Sequence, residues 1–456
     1  MRKKALIATA IALALAGTAW AVARPDQVMR TAAGVAAHHV CSMTFIGHQD
    51  PDTIFRELVT PVLGQTASAL LTIHVNRDQQ TVAVNGLVST LATATFTPGY
   101  GCRLDLPGNT AVVADTRTRA DVDDGFAPQS LVTTDKPQVA AALAQVFTEH
   151  PGDTPKVVKA VVIVKDGKVV AERYANGYGI HSPLLSFSVA KSFTNAFLGM
   201  LAMDGKVDVK QPLNAPEWRK PGDPRAAIRI EDLLRMQSGL AAEEAESAFS
   251  PVAKMEFLHS DMAGYAALQP AKEAPGKTFE YTSADTVLID RMIGGHVGGG
   301  AAGMRDFARR RLFDPMHMGD VTMEFDGQGT FVGSTYVYTS ARNYARFGML
   351  YLNDGKALDG TRLLPEGWVA WSRTSALGAP YGAGFWTNDG PSKEAHYRIK
   401  GGFPEDGFFA SGTMGQRIYI VPSEHLVVTR FGYSAPPDYG IEDDVNLIKA
   451  AIAAYR

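Results

Sequence analysis

Ala160-Val161-Val162-Ile163-Val164-Lys165-Asp166-Gly167-Lys168-Val169-Val170-Ala171-Glu172-Arg173-Tyr174 is the stretch on which the fold turns. Two β-branched runs, Ala160–Val164 and Lys168–Arg173, flank Asp166-Gly167. An Asp-Gly pair between apolar runs is the strongest short-range hairpin signal. Strand-like runs return near the C-terminus, Arg417–Val421 and Leu426–Phe431, separated by Pro422-Ser423-Glu424-His425. Helical spacing precedes the hairpin at Gln138–Phe147, with Val139, Leu143 and Val146 on one face. It closes the chain at Glu442–Tyr455, with Val445, Ile448 and Ile452. Strands near both ends of this region, and a helix-rich middle from about residue 187 to about 372, predict an α+β fold. One antiparallel sheet is assembled from distant segments and flanked by helices, and the middle forms an all-helical lobe.

Upstream the pattern changes. Residues 24–137 read as a small, mostly β N-terminal unit, with a helix over Gln27–His39 and strand-like runs Leu70–Val75, Thr81–Val88 and Thr93–Phe96. Asn76-Arg77-Asp78, Asn85-Gly86 and Pro98-Gly99-Tyr100-Gly101 punctuate them, and Thr116–Pro128 reads as a linker. Residues 1–23 have the layout of a secretory signal. Arg2, Lys3 and Lys4 precede an apolar run to Ala16, and Ala19-Trp20-Ala21 or Ala21-Val22-Ala23 offers a cleavage site. Cleavage and a periplasmic or secreted location are expected, with no stable membrane span afterwards. The alternative is an uncleaved anchor, since Gly17–Ala23 extends the apolar run towards the ~20 residues that span a bilayer. Cys41 and Cys102, the only 2 cysteines, both lie in the N-terminal unit. In an exported chain they most simply pair, closing a loop worth ~4 kcal/mol on the loop-entropy model; the alternative is two buried thiols.

Composition narrows the function. The 456 residues are 46% hydrophobic and 20% charged, with a net charge of −3, which excludes a disordered chain and does not suggest a nucleic-acid or polybasic membrane-surface binder. The chemistry-bearing pattern is Ser188-Val189-Ala190-Lys191, opening a helical stretch in which Val189, Phe193, Ala196, Phe197 and Met200 recur at helical spacing. Ser188 and Lys191, at i and i+3, share a helix face. A serine hydroxyl needs a base within hydrogen-bond reach, and lysine serves only when desolvation or nearby positive charge lowers its pKa. A helix N-terminus adds amide donors for a developing oxyanion. Alone, the pattern equally describes a capping serine and a surface lysine.

The surrounding segments remove that ambiguity. Downstream of Ser188 come Leu233-Leu234-Arg235-Met236-Gln237-Ser238-Gly239-Leu240 and Pro275-Gly276-Lys277-Thr278-Phe279-Glu280-Tyr281-Thr282-Ser283. With the 160–174 hairpin, their order and spacing over residues 138–456 resemble the serine β-lactamase-like hydrolases. That superfamily includes class C β-lactamases, penicillin-binding proteins, esterases and 6-aminohexanoate-dimer hydrolases. The resemblance implies a β-lactamase/transpeptidase-like fold with the site between sheet and helical lobe. It makes Ser188 the acylated nucleophile and Lys191 the lysine that activates it. Tyr281 becomes the tyrosine that passes the proton to the leaving group, partly ionised or relaying, as acid in acylation and base in deacylation. Ser283 stands where the motif often has Asn.

The resemblance also places Ala410-Ser411-Gly412 at the third motif, where relatives carry Lys-Thr-Gly or His-x-Gly. Gly412 lets substrate approach the strand, and a backbone N–H just beyond it, that of Thr413, completes an oxyanion hole with the N–H of Ser188. Ala410 cannot supply the cation that holds a β-lactam carboxylate. The expected substrate is therefore a small-molecule ester or linear amide, cleaved through a Ser188 acyl-enzyme. The alternatives are a D-alanyl peptidase or β-lactamase on the same site, or a non-catalytic binder of cell-wall fragments. No cofactor is implied, and without H-E-x-x-H or a matching Cys/His set no metal site is expected. Gly298-Gly299-Gly300-Ala301-Ala302-Gly303 matches G-x-G-x-x-G, but no strand feeds it, so it reads as a flexible loop. Tyr336, Tyr338, Phe385 and Trp386 are candidates for the cleft wall, with burial in the core the commoner fate of such residues. Oligomeric state is not encoded in any pattern found.

Overall fold

The computed structural model describes residues 24–117, 125–149, 155–245, 247–436 and 439–456. The expected export signal and the middle of the Thr116–Pro128 linker lie outside the described residues. The chain starts with helix α1 (Pro25–Phe45), short helical turns between Pro51 and Ser68, and a four-stranded antiparallel sheet in sequential order. Its strands are β1 (Thr72–Asn76), β2 (Thr81–Asn85), β3 (Thr90–Thr97) and β4 (Gly101–Leu104). Helix α1 continues past His39 because Val40, Cys41 and Met43 are apolar and fully buried against the rest of the protein. Strand β4 was masked in the sequence by the Pro98–Gly101 turn that introduces it.

Cys41 on α1 and Cys102 on β4 form a disulfide, with their Cα atoms 6.0 Å apart. Beside it lies Glu324, a buried carboxylate from the far side of the chain. Its Oε1 accepts from the Ser42 hydroxyl and from the Cys102 N–H, both at 2.7 Å. Its Oε2 accepts from the Tyr338 hydroxyl at 3.0 Å and lies 3.2 Å from His38 Nε2. A buried carboxylate is tolerated only with such partners, so this cluster ties α1 and β4 to the remainder of the chain.

Helix α2 (Pro137–Val146) leads into the hairpin of β5 (Lys156–Lys165) and β6 (Lys168–Tyr174). Asp166 and Gly167 have φ of 48° and 80°, the positive pair that a type I′ turn requires. The short strands β7 (Leu184–Leu185), β8 (Val321–Met323) and β9 (Val337–Thr339) form a separate small sheet in the order β7-β9-β8. Helices α3 (Ala190–Met203), α4 (Ser283–His296) and α5 (Ala341–Leu352) belong to the helical middle. The main sheet is completed by β10 (Trp386–Thr387), β11 (Phe408–Gly412), β12 (Gln416–Val421) and β13 (Leu426–Ser434), and helix α6 (Ile441–Tyr455) ends the chain.

The six strands are all antiparallel, in the order β10-β11-β12-β13-β5-β6. Strand β5 is buried from Val158 to Val164 because both sheet faces are covered. On one face Val161, Ile163, Tyr419 and Val428 pack with Val139 and Leu143 of α2 and Val445 and Ile448 of α6. On the other, Val162, Ile418 and Val427 join the core that contains α3 and α5. The expected pairing of distant segments into one sheet is therefore observed. The glycine-rich decoy differs in detail: a helix starts within it at Gly300, but it follows α4 rather than a strand. Among the described residues no helix is long and apolar enough to cross a membrane.

Removing the disulfide should act on stability rather than on the site. A Cys41→Ala/Cys102→Ala double variant is expected to lose about 2–4 kcal/mol in urea denaturation, with the native fold retained by circular dichroism.

Candidate active site

Ser188 occupies a single 3-10 turn, Phe187–Val189, that runs directly into α3. Every residue of α3 from Ala190 to Leu201 is buried, and its polar Lys191, Ser192, Thr194 and Asn195 each make hydrogen bonds there. Phe187 has φ 44°, a left-handed conformation that persists in a bulky residue only when its surroundings impose it. One constraint is His39 of α1, whose ring lies 5.7 Å from that of Phe187.

Lys191 is 1% exposed. Its Nζ lies 2.9 Å from Ser188 Oγ, 3.0 Å from Ser283 Oγ and 3.0 Å from the Ser334 carbonyl oxygen. As an ammonium the nitrogen can donate to all three oxygens; as a neutral amine it can donate to Ser283 and the Ser334 carbonyl and turn its lone pair to Ser188. Burial lowers the lysine pKa, opposed by Glu244, Glu256 and Asp290. Asp290 also builds the site: it accepts from Thr194 of α3 at 2.7 Å and from the Gly333 N–H at 3.0 Å, placing the Ser334 carbonyl.

Tyr281 stands over this group, its ring centre 4.8 Å from Lys191 Nζ and its phenol within hydrogen-bonding reach of Ser188. Tyr381 and Trp386 each pack 5.6 Å from its ring. Burial and the charge of Glu244 raise the phenol's pKa, outweighing its Ser188 contact. That direction favours the relaying role, one of the two routes expected of this tyrosine, over partial ionisation. Ser283 opens α4, with Thr282 capping the helix by accepting from the Ala284 N–H. Its hydroxyl touches Lys191, and its N–H donates to Glu244.

Strand β11 forms the opposite wall. A Cβ on Gly412 would stand 2.5 Å from the Ser186 carbonyl oxygen and 2.9 Å from the Ser188 nitrogen, so only glycine lets the strand come this close. The next residue, Thr413, starts the turn that leaves the strand. Ala410 is buried, paired with Ile418, and contributes only a methyl group. Ser188, Lys191, Tyr281, Ser283 and Gly412 thus come together where α3, α4 and β11 meet, with Thr413 next in the chain after Gly412. Of the aromatic candidates, Tyr336, Tyr338 and Phe385 are buried in the core, whereas Trp386 packs on Tyr281. Glu244 and the Ser334 carbonyl were not anticipated. One lies in an alanine- and glutamate-rich run that reads as solvated surface, and the other is a backbone group that no side-chain pattern reveals. No group of His, Cys, Asp or Glu among the described residues could hold a metal ion.

Two outcomes follow from this geometry. A base must be neutral to accept a proton, so kcat/KM should rise with pH through an apparent pKa below the ~10.4 of an ordinary lysine. Lys191→Arg, charged throughout, should remove that limb and most activity in an ester-hydrolysis pH profile. Gly412→Ala should lower kcat/KM on the order of a hundredfold by displacing the Ser188 amide, measured beside an unchanged far-ultraviolet spectrum.

A Beta-lactamase family model matches residues 143–451, more than half of the chain. The 6-aminohexanoate-dimer hydrolase of Paenarthrobacter ureafaciens is 24% identical over 227 residues, 46% of this chain. The match spans only 55% of that relative's length. A family VIII carboxylesterase structure superposes with a TM-score of 0.55 at 16% identity, covering 72% of this chain and 99% of the other. A class C β-lactamase from Rhodobacter sphaeroides gives 0.51 at 16% identity, covering 69% and 99%. At these identities the two structures speak for the fold alone. The family match, over more than half of the chain, establishes that it belongs to the β-lactamase family of serine hydrolases.

Proposed function

We propose that the chain hydrolyses an ester or linear amide through an acyl-enzyme on Ser188. The supporting observation is the environment of Lys191 Nζ, with two acceptors for its N–H bonds and Ser188 Oγ at 2.9 Å. In this reading the Ser188 proton passes to Lys191 as Oγ attacks the substrate carbonyl carbon. The oxyanion is held by the N–H groups of Ser188 and Thr413. As the tetrahedral intermediate collapses, the carbonyl–leaving-group bond breaks. The Tyr281 phenol gives its proton to the departing oxygen or nitrogen and is reprotonated from the Lys191 ammonium. Deacylation reverses the relay: water loses a proton towards Tyr281 and Lys191, attacks the acyl carbon, and Ser188 leaves with a proton.

The substrate class follows from charge. At the third motif Ala410 offers no cation, so a drug carboxylate lacks a charge-assisted contact worth roughly 1.5–3 kcal/mol. The 6-aminohexanoate-dimer hydrolase and carboxylesterase among the similar proteins are consistent with a linear amide or ester. Residues 24–137 are assigned to an N-terminal unit that carries the Cys41–Cys102 disulfide and 138–456 to the hydrolase. An oxidising location outside the cytoplasm is proposed from the disulfide and the leader-like residues 1–23.

A panel decides this reading: 4-nitrophenyl acetate and butyrate, a chromogenic cephalosporin, D-amino-acid peptides and 6-aminohexanoate dimer, against wild type and Ser188→Ala. Ester or linear-amide turnover falling by about three orders of magnitude or more in Ser188→Ala is expected. Rapid cephalosporin turnover lost in Ser188→Ala would overturn the substrate class. Absence of fluorophosphonate labelling at Ser188 would overturn catalysis.

A further inference from the structure

After β11 the chain reverses through Thr413–Gly415, the turn that directly follows Gly412, whose Cβ position lies 2.9 Å from the Ser188 nitrogen. Its backbone is unusual: Met414 has φ 61° and ψ 20°, and Gly415 has φ 85°. Two consecutive left-handed residues, the first a buried methionine, need an external reason to persist. The reason lies in the three carbonyls of the turn, each of which accepts from a buried side chain. Gln416 Nε2 donates to the Thr413 carbonyl at 3.1 Å. Arg430 Nη1 donates to the Met414 carbonyl at 3.2 Å and to the Gly415 carbonyl at 2.7 Å.

Both side chains are themselves fixed. The Gln416 amide closes a pair of hydrogen bonds with Gly432 of β13, its Oε1 accepting the Gly432 N–H at 3.0 Å and its Nε2 donating to the Gly432 carbonyl. Arg430 Nη2 donates to the Ser434 hydroxyl, and its Nε lies 3.7 Å from Asp444 of α6. Asp444 also accepts from Arg417 at 2.7 Å and from the Tyr419 hydroxyl at 3.0 Å. A Cβ on Gly415 would collide with the Arg430 guanidinium, so turn and side chain fit only each other.

We propose that Arg430 and Gln416 are positioning residues for catalysis, clamping the three carbonyls of the 413–415 turn so that the Thr413 N–H points at the developing oxyanion. The inference rests on the proposed roles of Ser188 and Thr413. An oxyanion donor works only within a few tenths of an ångström of its proper distance. A turn in a strained conformation drifts once its carbonyls are released.

The test uses the full chain, 4-nitrophenyl acetate as substrate and phenylboronic acid as a probe that becomes tetrahedral on the nucleophile. Arg430→Lys cannot reproduce the forked donation, and Gln416→Met removes the donor to Thr413. Both are expected to lower kcat about 10- to 100-fold, leave KM within about 3-fold and weaken boronate inhibition by the same factor as kcat. Arg417→Lys disturbs the same Asp444 cluster from a guanidinium that goes to Asp444 and the Tyr439 carbonyl. It should lower the melting temperature but keep kcat. Should Arg430→Lys fail to fold, Gln416→Met decides alone. Wild-type kcat in the folded variants, or an equal loss in Arg417→Lys, overturns the clamp. Full activity in Ser188→Ala overturns the underlying reading and the clamp with it.

Discussion

An ammonium group taken out of water loses several kcal/mol of solvation unless something replaces it, and Lys191 is buried at the centre of this protein. Its surroundings replace that solvation only in part: two hydroxyls and one carbonyl accept its N–H bonds, and the carboxylates that favour its charge act against desolvation. Burial thereby lowers the lysine's pKa, and the arrangement needs three separate pieces of chain. Helix α3 carries the lysine, the start of α4 carries Ser283, and the segment before β9 carries the Ser334 carbonyl. Asp290 joins all three, being on α4 and holding both Thr194 and Gly333. Much of the helical middle can be understood as the scaffold that brings these pieces to one buried nitrogen.

The sheet side of the cleft is built on closeness instead of charge. Strand β11 approaches the Ser188 backbone to a distance only a glycine permits, and the chain then leaves through a turn whose carbonyls are all taken by buried side chains. On the facing side Glu244 adds the negative charge that opposes both lysine deprotonation and tyrosine ionisation. The local electrostatics thus set protonation states, and backbone geometry sets the position of the donors.

How much of this was legible in the sequence depended on whether the signal was local. Asp166-Gly167 announced the β5–β6 hairpin because a type I′ turn needs two adjacent residues of particular kinds. Ser188 and Lys191 were readable as partners because helix geometry brings i and i+3 together. Strands of two or three residues such as β7 and β10 show no periodicity, and they were missed. Tyr281 is legible from the linked motifs, with ionisation and relay both open; the burial and the Glu244 charge that bear on that choice come from residues distant in sequence, which local patterns do not reveal. Arg430 lay unremarked within the Leu426–Phe431 run and Gln416 just before the Arg417–Val421 run, because backbone carbonyls that accept from a side chain leave no mark in a residue pattern.

The Glu324 cluster carries a consequence for how the molecule assembles. Ser42 and Glu324 are 282 positions apart, and the carboxylate completes the hydrogen bonding beside the disulfide. An N-terminal segment emerging first can form its hairpins and pair its cysteines, yet its buried hydroxyl and amide donors lack their acceptor until most of the chain has followed. Contacts of such separation close slowly. The segment is committed early and finished late, so its core is exposed longest to wrong partners during folding.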